Sequence, residues 1–282
     1  MTNPIADPLV EVPDTDTQSG LALLDATAEG VAYVTLNRTD KKNAFNADLI
    51  LALKEVFETL HAAEGIRVVF LRGAGGMFSA GADLEWMRDA IEFSEGENRQ
   101  DAMEMARMLK ALYDLPALTV ALVEGGAYGG GAGLAAACDM AIAVKDTKFA
   151  FSEVKLGIIA ATISPYVIGA IGPRKARSLF STARVFDANE AREIGLIDQV
   201  VADGAALSAA AEAVVNDIML CAPGAVAASK ALVKDVADRA IDHDLMEETA
   251  KRIAHARVSD EGQEGVTAFL ARKRPSWAGG GD

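Results

Sequence analysis

Two glycine-rich turns carry the residue types from which an anion-holding site can be built: MFSAGADL, residues 77–84, and GGAYGGGAGL, residues 125–134. Each follows a short apolar run rich in β-branched residues, VVFLR and TVALV, and strand ends are where α/β folds place their ligand sites. Neither turn has the spacing G-x-G-x-x-G and no Gly-Lys-Ser/Thr follows either, so the dinucleotide and P-loop readings fail. A G-x-S-x-G nucleophile turn is absent as well. In the second turn, Gly129-Gly130-Gly131 precede the helix-prone run AGLAAAC. The N–H groups of a first helical turn have no acceptor inside the helix, and the helix dipole adds positive charge at that end. That arrangement suits a developing oxyanion. A tight strand-to-helix turn that needs glycine at positive φ accounts for the same residues equally well.

The elements that must position these turns are legible in the hydrophobic pattern. Residues 21–36 read as two strands joined at Glu29-Gly30, the second carrying the β-branched run VAYVTL. Residues 46–63 place Leu49, Leu51, Leu53, Val56, Phe57 and Leu60 at mostly helical spacing behind Asn46 as N-cap. The apolar runs VVFLR, TVALV and MAIAV then alternate with glycine turns and helix, which predicts an α/β fold of stacked ββα units around a parallel core. A long helix over 97–114, closed by Pro116, separates the first two of these strands, and the polar stretch 93–98 before it reads as a mobile loop. Ala-rich periodicity predicts helices over 188–194, 205–221, 225–236 and 242–257. The expected division is a mobile acidic tail over 1–20, a core with the site over 21–200, and a helical region over 201–282.

The chain of 282 residues, 51% hydrophobic, is long enough to bury a full core. Its formal net charge of −14 repels polyanions, so neither nucleic acid nor an anionic membrane surface is an expected partner. A phosphorylated ligand must then be met by local basic groups. Cys138 and Cys221 lie in apolar, helix-prone runs where a buried thiol is expected, and His61, His243 and His255 show no ligand spacing, so no disulfide framework and no metal set is expected. The first twenty residues lack the basic start and apolar stretch of a secretory signal, and the apolar run 117–144 is interrupted by Glu124, the glycine cluster and Asp139. A cytoplasmic protein is the expectation.

The ordered set FSAGADL, YGGGAGLAAACD and FAFSEVKLGI, with NRTDKKNAFN before it and GVTAFLARKRPSW at the end, resembles the crotonase (enoyl-CoA hydratase/isomerase) superfamily over nearly the whole chain from residue 20. The resemblance implies a crotonase-like spiral of ββα units and an acyl-CoA thioester as substrate, with no separate cofactor because coenzyme A is part of the thioester. It assigns the N–H groups of Ala82 and Gly130 to the thioester oxygen, each such donor being worth ~10²–10³ in rate. Glu153, in FSEVKLG, is implied as the group that moves the proton, a contribution of ~10²–10⁴.

Many hydratases of this family carry a second glutamate where this chain has Gly133, so Glu153 either does both jobs or is helped by a neighbour such as Tyr128 or Ser164. The finer motifs FSAGADLEWM, AYGGGAGL and EVKLGIIAATISPYVIGAIG resemble the branch of methylglutaconyl-CoA and isohexenylglutaconyl-CoA hydratases, with Ala160 where that branch commonly has proline. A hydratase for a branched glutaconyl-CoA is implied; an enoyl-CoA isomerase using one carboxylate and a non-catalytic acyl-CoA-binding protein are the alternatives. For coenzyme A the resemblance implies Ala80, Ala82, Asp83 and Leu84 near the adenine and Arg38 and Lys41 near the phosphates. It also implies a trimer or dimer of trimers in which Phe269, Arg272 and Arg274 complete a neighbouring site, while Trp277 packs. A distal substrate carboxylate needs a cationic partner, for which Arg88 and Lys155 are the nearest in sequence.

Overall fold

The computed structural model describes residues 20–279, and the expected acidic tail lies outside the described residues. Strands β1 (Ala22–Ala26) and β2 (Val31–Leu36) form the antiparallel hairpin predicted from the Glu29-Gly30 turn, with Ala22 opposite Leu36 and Ala26 opposite Ala32. Helix α1 (Ala47–Ala62) starts where the pattern places it, since the Asn46 side chain accepts from Leu49 N–H at 3.0 Å. Its Leu49, Leu53, Val56, Phe57 and Leu60 are buried. β3 (Val68–Gly73) then returns parallel to β2.

Helices α2 (Leu84–Asp89) and α3 (Glu95–Tyr113) follow, then β4 (Leu118–Val123), β5 (Gly126–Tyr128), α4 (Gly130–Ala136), β6 (Met140–Val144) and β7 (Lys148–Ala150). Helix α5 (Ser164–Thr182), β8 (Phe186–Asp187), α6 (Ala188–Glu193) and β9 (Gln199–Val201) lead to the helices α7 (Gly204–Ile218), α8 (Pro223–Val236), α9 (His243–Val258) and α10 (Asp260–Leu270). The main sheet has the order β1-β2-β3-β4-β6-β9, and a second sheet has the order β5-β7-β8. β4 with β6, β6 with β9 and β5 with β7 run parallel. Both faces of the buried strands are apolar, as parallel strands between helices require.

The described residues divide into two compact units. One ends at Leu115 and resumes over Thr119–Glu212; the other joins Pro116–Leu118 to the chain from Ala213 onward. The division falls within α7. Among the described residues no single helix is long and apolar enough to cross a membrane.

Two expectations are corrected. The stretch 93–98 is not a loop: Ser94 and Glu97 form a reciprocal capping box, Ser94 N–H donating to Glu97 Oε2 at 2.8 Å, so α3 begins at Glu95. Cys221 is exposed because α7 ends at Ile218 and leaves it in the turn before Pro223, and Cys138, two residues past the end of α4, is half-buried.

Candidate active site

The first turn is held from the loop before α1. Asn43, fully buried, donates through Nδ2 to Ala74 O at 2.9 Å and Met77 O at 2.6 Å, and accepts at Oδ1 from Arg38 N–H at 2.9 Å. Phe45 lies alongside Ala82: Phe45 N–H donates to Gly81 O at 2.7 Å, and Asp83 N–H donates to Phe45 O at 2.8 Å. The amide between those two bonds, that of Ala82, has no protein acceptor among the described residues.

The second turn lies directly against the first. Ser79 N–H donates to Gly126 O at 3.0 Å and Tyr128 N–H donates to Ser79 O at 3.1 Å. Gly129 takes φ 49° and ψ −116°, a conformation open to glycine, and its N–H donates to Ala150 O at 2.9 Å. Helix α4 then starts at Gly130, whose N–H belongs to the first turn and has no acceptor within the helix. Two unspent amides, on abutting turns, make an arrangement that can hold an oxyanion.

Glu153 opens a 3₁₀ turn, Glu153–Leu156, just beyond β7. Phe151 fixes this stretch by an edge-on contact with Phe180 of α5, ring centres 5.0 Å apart. The carboxylate reaches Gly129: a Cβ there would lie 3.1 Å from Glu153 Oε1, so a side chain at this position would crowd the acid. Glu153 Oε2 is buried with no hydrogen-bond partner among the described residues. Burial pushes the carboxyl up from the ordinary 4.5, and a hydrogen bond from its own backbone opposes this in part. An acid with an unpaired oxygen beside two unspent amides can accept or return a proton next to a carbonyl whose charge is being held.

The family model for enoyl-CoA hydratase/isomerase matches residues 26–280. The chain belongs to the enoyl-CoA hydratase/isomerase family. It is 33% identical over 253 residues to the enoyl-CoA hydratase ACTT6 of Alternaria alternata, covering 88% of this chain and 81% of that protein. It is also 33% identical over 277 residues to the enoyl-CoA isomerase/hydratase fer4 of Mycosarcoma maydis, covering 93% and 99%. Among solved structures, an enoyl-CoA hydratase from Shewanella pealeana superposes with TM-score 0.88 at 39% identity, covering 91% of this chain and 96% of that one. Pseudomonas aeruginosa AtuE superposes with TM-score 0.87 at 37% identity, covering 92% and 99%. The fold is that of the crotonases, and the protein is an enzyme of a family that acts on acyl-CoA thioesters.

Other residues singled out by sequence fall into two groups. Ala80, half-buried, and Leu84, 80% exposed, flank the first turn. Asp83 and Arg38 are instead committed to each other: their side chains form an ion pair that is nearly closed to solvent, Arg38 also donates to Ala44 O at 3.0 Å, and Asp83 accepts from Glu85 N–H at 2.7 Å to cap α2. This pair braces the first turn against the loop before α1. Lys41 pairs with Glu85 at 3.1 Å in a half-exposed position.

Tyr128 is half-buried, and its ring folds back over Gly126, where a Cβ would lie 2.5 Å from Tyr128 Cε2. Ser164 spends its hydroxyl on Ala161 O at 2.8 Å. Arg88 and Lys155 are exposed, Arg88 lying 3.9 Å from Asp89. In the C-terminal unit, Phe269 is exposed at the end of α10, Arg272 and Arg274 are exposed beyond it, and Trp277 packs where a Cβ on Gly265 would lie 3.1 Å from the indole.

Gly133 needs its lack of a side chain for a reason that no sequence spacing reveals. A Cβ there would lie 2.1 Å from Ile163 Cγ2 and 2.4 Å from Ile163 Cβ, so buried Ile163 fills the space that a second acid would enter. Phe45 and Met105 occupy the corresponding space at Gly130. Sequence reading missed Ser79, Asn43, Phe45, Met105 and Ile163, since each acts across a long stretch of chain; four of them lie inside the quoted motifs NAFN, FSAG and EVKLGIIAATISPYVIGAIG, which gave them no role.

Proposed function

We propose that this enzyme adds water across the 2,3 double bond of a branched, methylglutaconyl-type enoyl-CoA, with Glu153 as the single carboxylate at the reacting centre. The observation that carries the reading is the unpartnered, buried Oε2 of Glu153 beside the unspent amides of Ala82 and Gly130. Glu153 takes a proton from water as the hydroxyl adds at C3. The two amides hold the enolate oxygen, and Glu153 then returns the proton to C2. Ile163 packed against Gly133 supports the one-acid scheme, because α4 has no room there for another carboxylate.

The same packing favours a second reading. A single acid, with apolar Ile163 packed where a second could stand, suffices to move one proton between two carbons, which is enoyl-CoA isomerisation. The motif likeness to the glutaconyl-CoA hydratases puts hydration first. Purified enzyme offered crotonyl-, 3-methylglutaconyl- and 3-enoyl-CoA, with hydration and double-bond migration both followed, separates these readings. Preferred hydration of 3-methylglutaconyl-CoA is expected; faster migration of the 3-enoyl thioester would make isomerase the activity, and binding without turnover would make the protein a carrier.

A further inference from the structure

We infer that Ser79 is the positioning residue that sets the relation between the two oxyanion amides, an inference that rests on the assignment of Ala82 and Gly130 as thioester-oxygen donors. Ser79 is fully buried and forms bonds to three segments at once. Its hydroxyl donates to Asn43 O at 2.8 Å and accepts from Gly81 N–H at 3.2 Å. Its backbone bonds Gly126 O at 3.0 Å and Tyr128 N–H at 3.1 Å. Its Cβ also lies where α4 comes closest: a Cβ on Gly131 would be 2.7 Å away.

The consequence follows from peptide planarity. The bond from Gly81 N–H to Ser79 Oγ fixes the Ala80–Gly81 peptide plane, and the Gly81 carbonyl, taken by Phe45 N–H, fixes the next plane, which carries the Ala82 N–H; Ser79 thus anchors the near side of the pivot at Gly81 from which that N–H is aimed. The contact with Gly131 fixes how near the start of α4, and so the Gly130 N–H, comes to that amide. Oxyanion stabilisation depends on both donors meeting one oxygen at hydrogen-bond distance, and misplacement by about 1 Å can cost ~10² in rate. A serine that touches neither substrate nor reacting atom thus sets the geometry of both donors. Its signature is a loss in kcat with KM nearly unchanged.

The test reads the thioester carbonyl itself. Butyryl-CoA carrying ¹³C at the thioester carbonyl cannot be hydrated, and hydrogen bonding in the site lowers its C=O stretching frequency. Ser79→Ala removes the bond to Gly81 N–H; Gly131→Ala deletes no hydrogen-bonding group but pushes α4 away from Ser79. Both variants are expected to shrink the infrared shift of the bound probe and to lower kcat by ~10²-fold at similar KM, with Ser79→Cys recovering part of the shift. Should Ser79→Ala fold poorly, Gly131→Ala carries the test. Gly130→Pro, which deletes one donor, keeps the two ideas apart. An undiminished shift in Gly130→Pro would overturn the donor assignment itself; a diminished shift there with a wild-type shift in both Ser79→Ala and Gly131→Ala would overturn the role of Ser79 alone.

Discussion

Glu153 carries two demands that pull against each other. Its Oε2 has no partner among the described residues and burial raises its carboxyl above the ordinary 4.5, so the charged form is costly to keep in the fold while it is the form that accepts a proton. Replacement by Gln keeps the shape and removes the charge. Glu153→Gln is expected to lose hydration and deuterium wash-in at C2 together, by at least ~10²-fold; hydration that survives in this variant would defeat the one-carboxylate scheme. The same variant is expected to be more stable than wild type at neutral pH, because an unfavourable charge is gone. The sign is fixed by linkage: the folded state binds the Glu153 proton more tightly than the unfolded chain, so the stability gained by protonation is complete below 4.5 and is lost as pH rises through the raised value. The gap in Tm between Gln variant and wild type should therefore widen between acid and neutral pH, and a constant gap would show that Glu153 bears no such cost. Glu153 and Gly130 were legible because FSEVKLG and YGGGAGL are contiguous. Ser79 and Ile163 were not, because their partners Gly131 and Gly133 lie far off in sequence and meet them only in the fold.

Elements were legible where a single local signal sufficed. Asn46 capped α1 as expected, and the hairpin turned at the Glu29-Gly30 pair. The S-x-x-E box at Ser94 and Glu97 was also present in the sequence, but the polarity of its surroundings made it read as loop. Helix α5 gave no clean period because Gly172, at φ 73° and ψ 161°, and Pro173 break it in mid-course. Helix α4 tolerates little change: Gly133→Glu forces a Cβ into Ile163, and overpacking of this kind costs about 1–3 kcal/mol. Thermal unfolding of Gly133→Glu should fall by several degrees, at ~2–4 °C per kcal/mol, and its hydration rate should drop rather than rise. Pairing it with Ile163→Gly, which removes both clashing atoms, should restore much of the lost Tm. Additive losses in the double variant would mean that Ile163 is not what excludes a side chain at residue 133.

At the scale of the molecule, the charge of −14 reflects 41 acidic against 27 basic side chains, so a basic cluster near the C-terminus stands out. Arg272 and Arg274 are exposed beyond α10, and in our reading they meet the coenzyme phosphates of a neighbouring subunit in a trimer or dimer of trimers. Exposed pairs are weak, worth about 1 kcal/mol or less, so Arg272→Ala with Arg274→Ala should raise the Kd for coenzyme A severalfold, more so at low salt. Unchanged affinity at both high and low salt would leave these arginines as solvated charges. The unpaired oxygen of Glu153 also reaches beyond the reaction into the heat of ligand binding. A thioester seated beside it displaces solvent and raises the carboxyl further, so as pH is lowered toward the range where Glu153 titrates, ligand binding should draw a proton from the buffer. Titration calorimetry with butyryl-CoA in buffers of differing ionisation enthalpy should therefore give apparent binding enthalpies that follow the buffer, and in Glu153→Gln that dependence should vanish, making the carboxylate a proton counter for occupancy of the site.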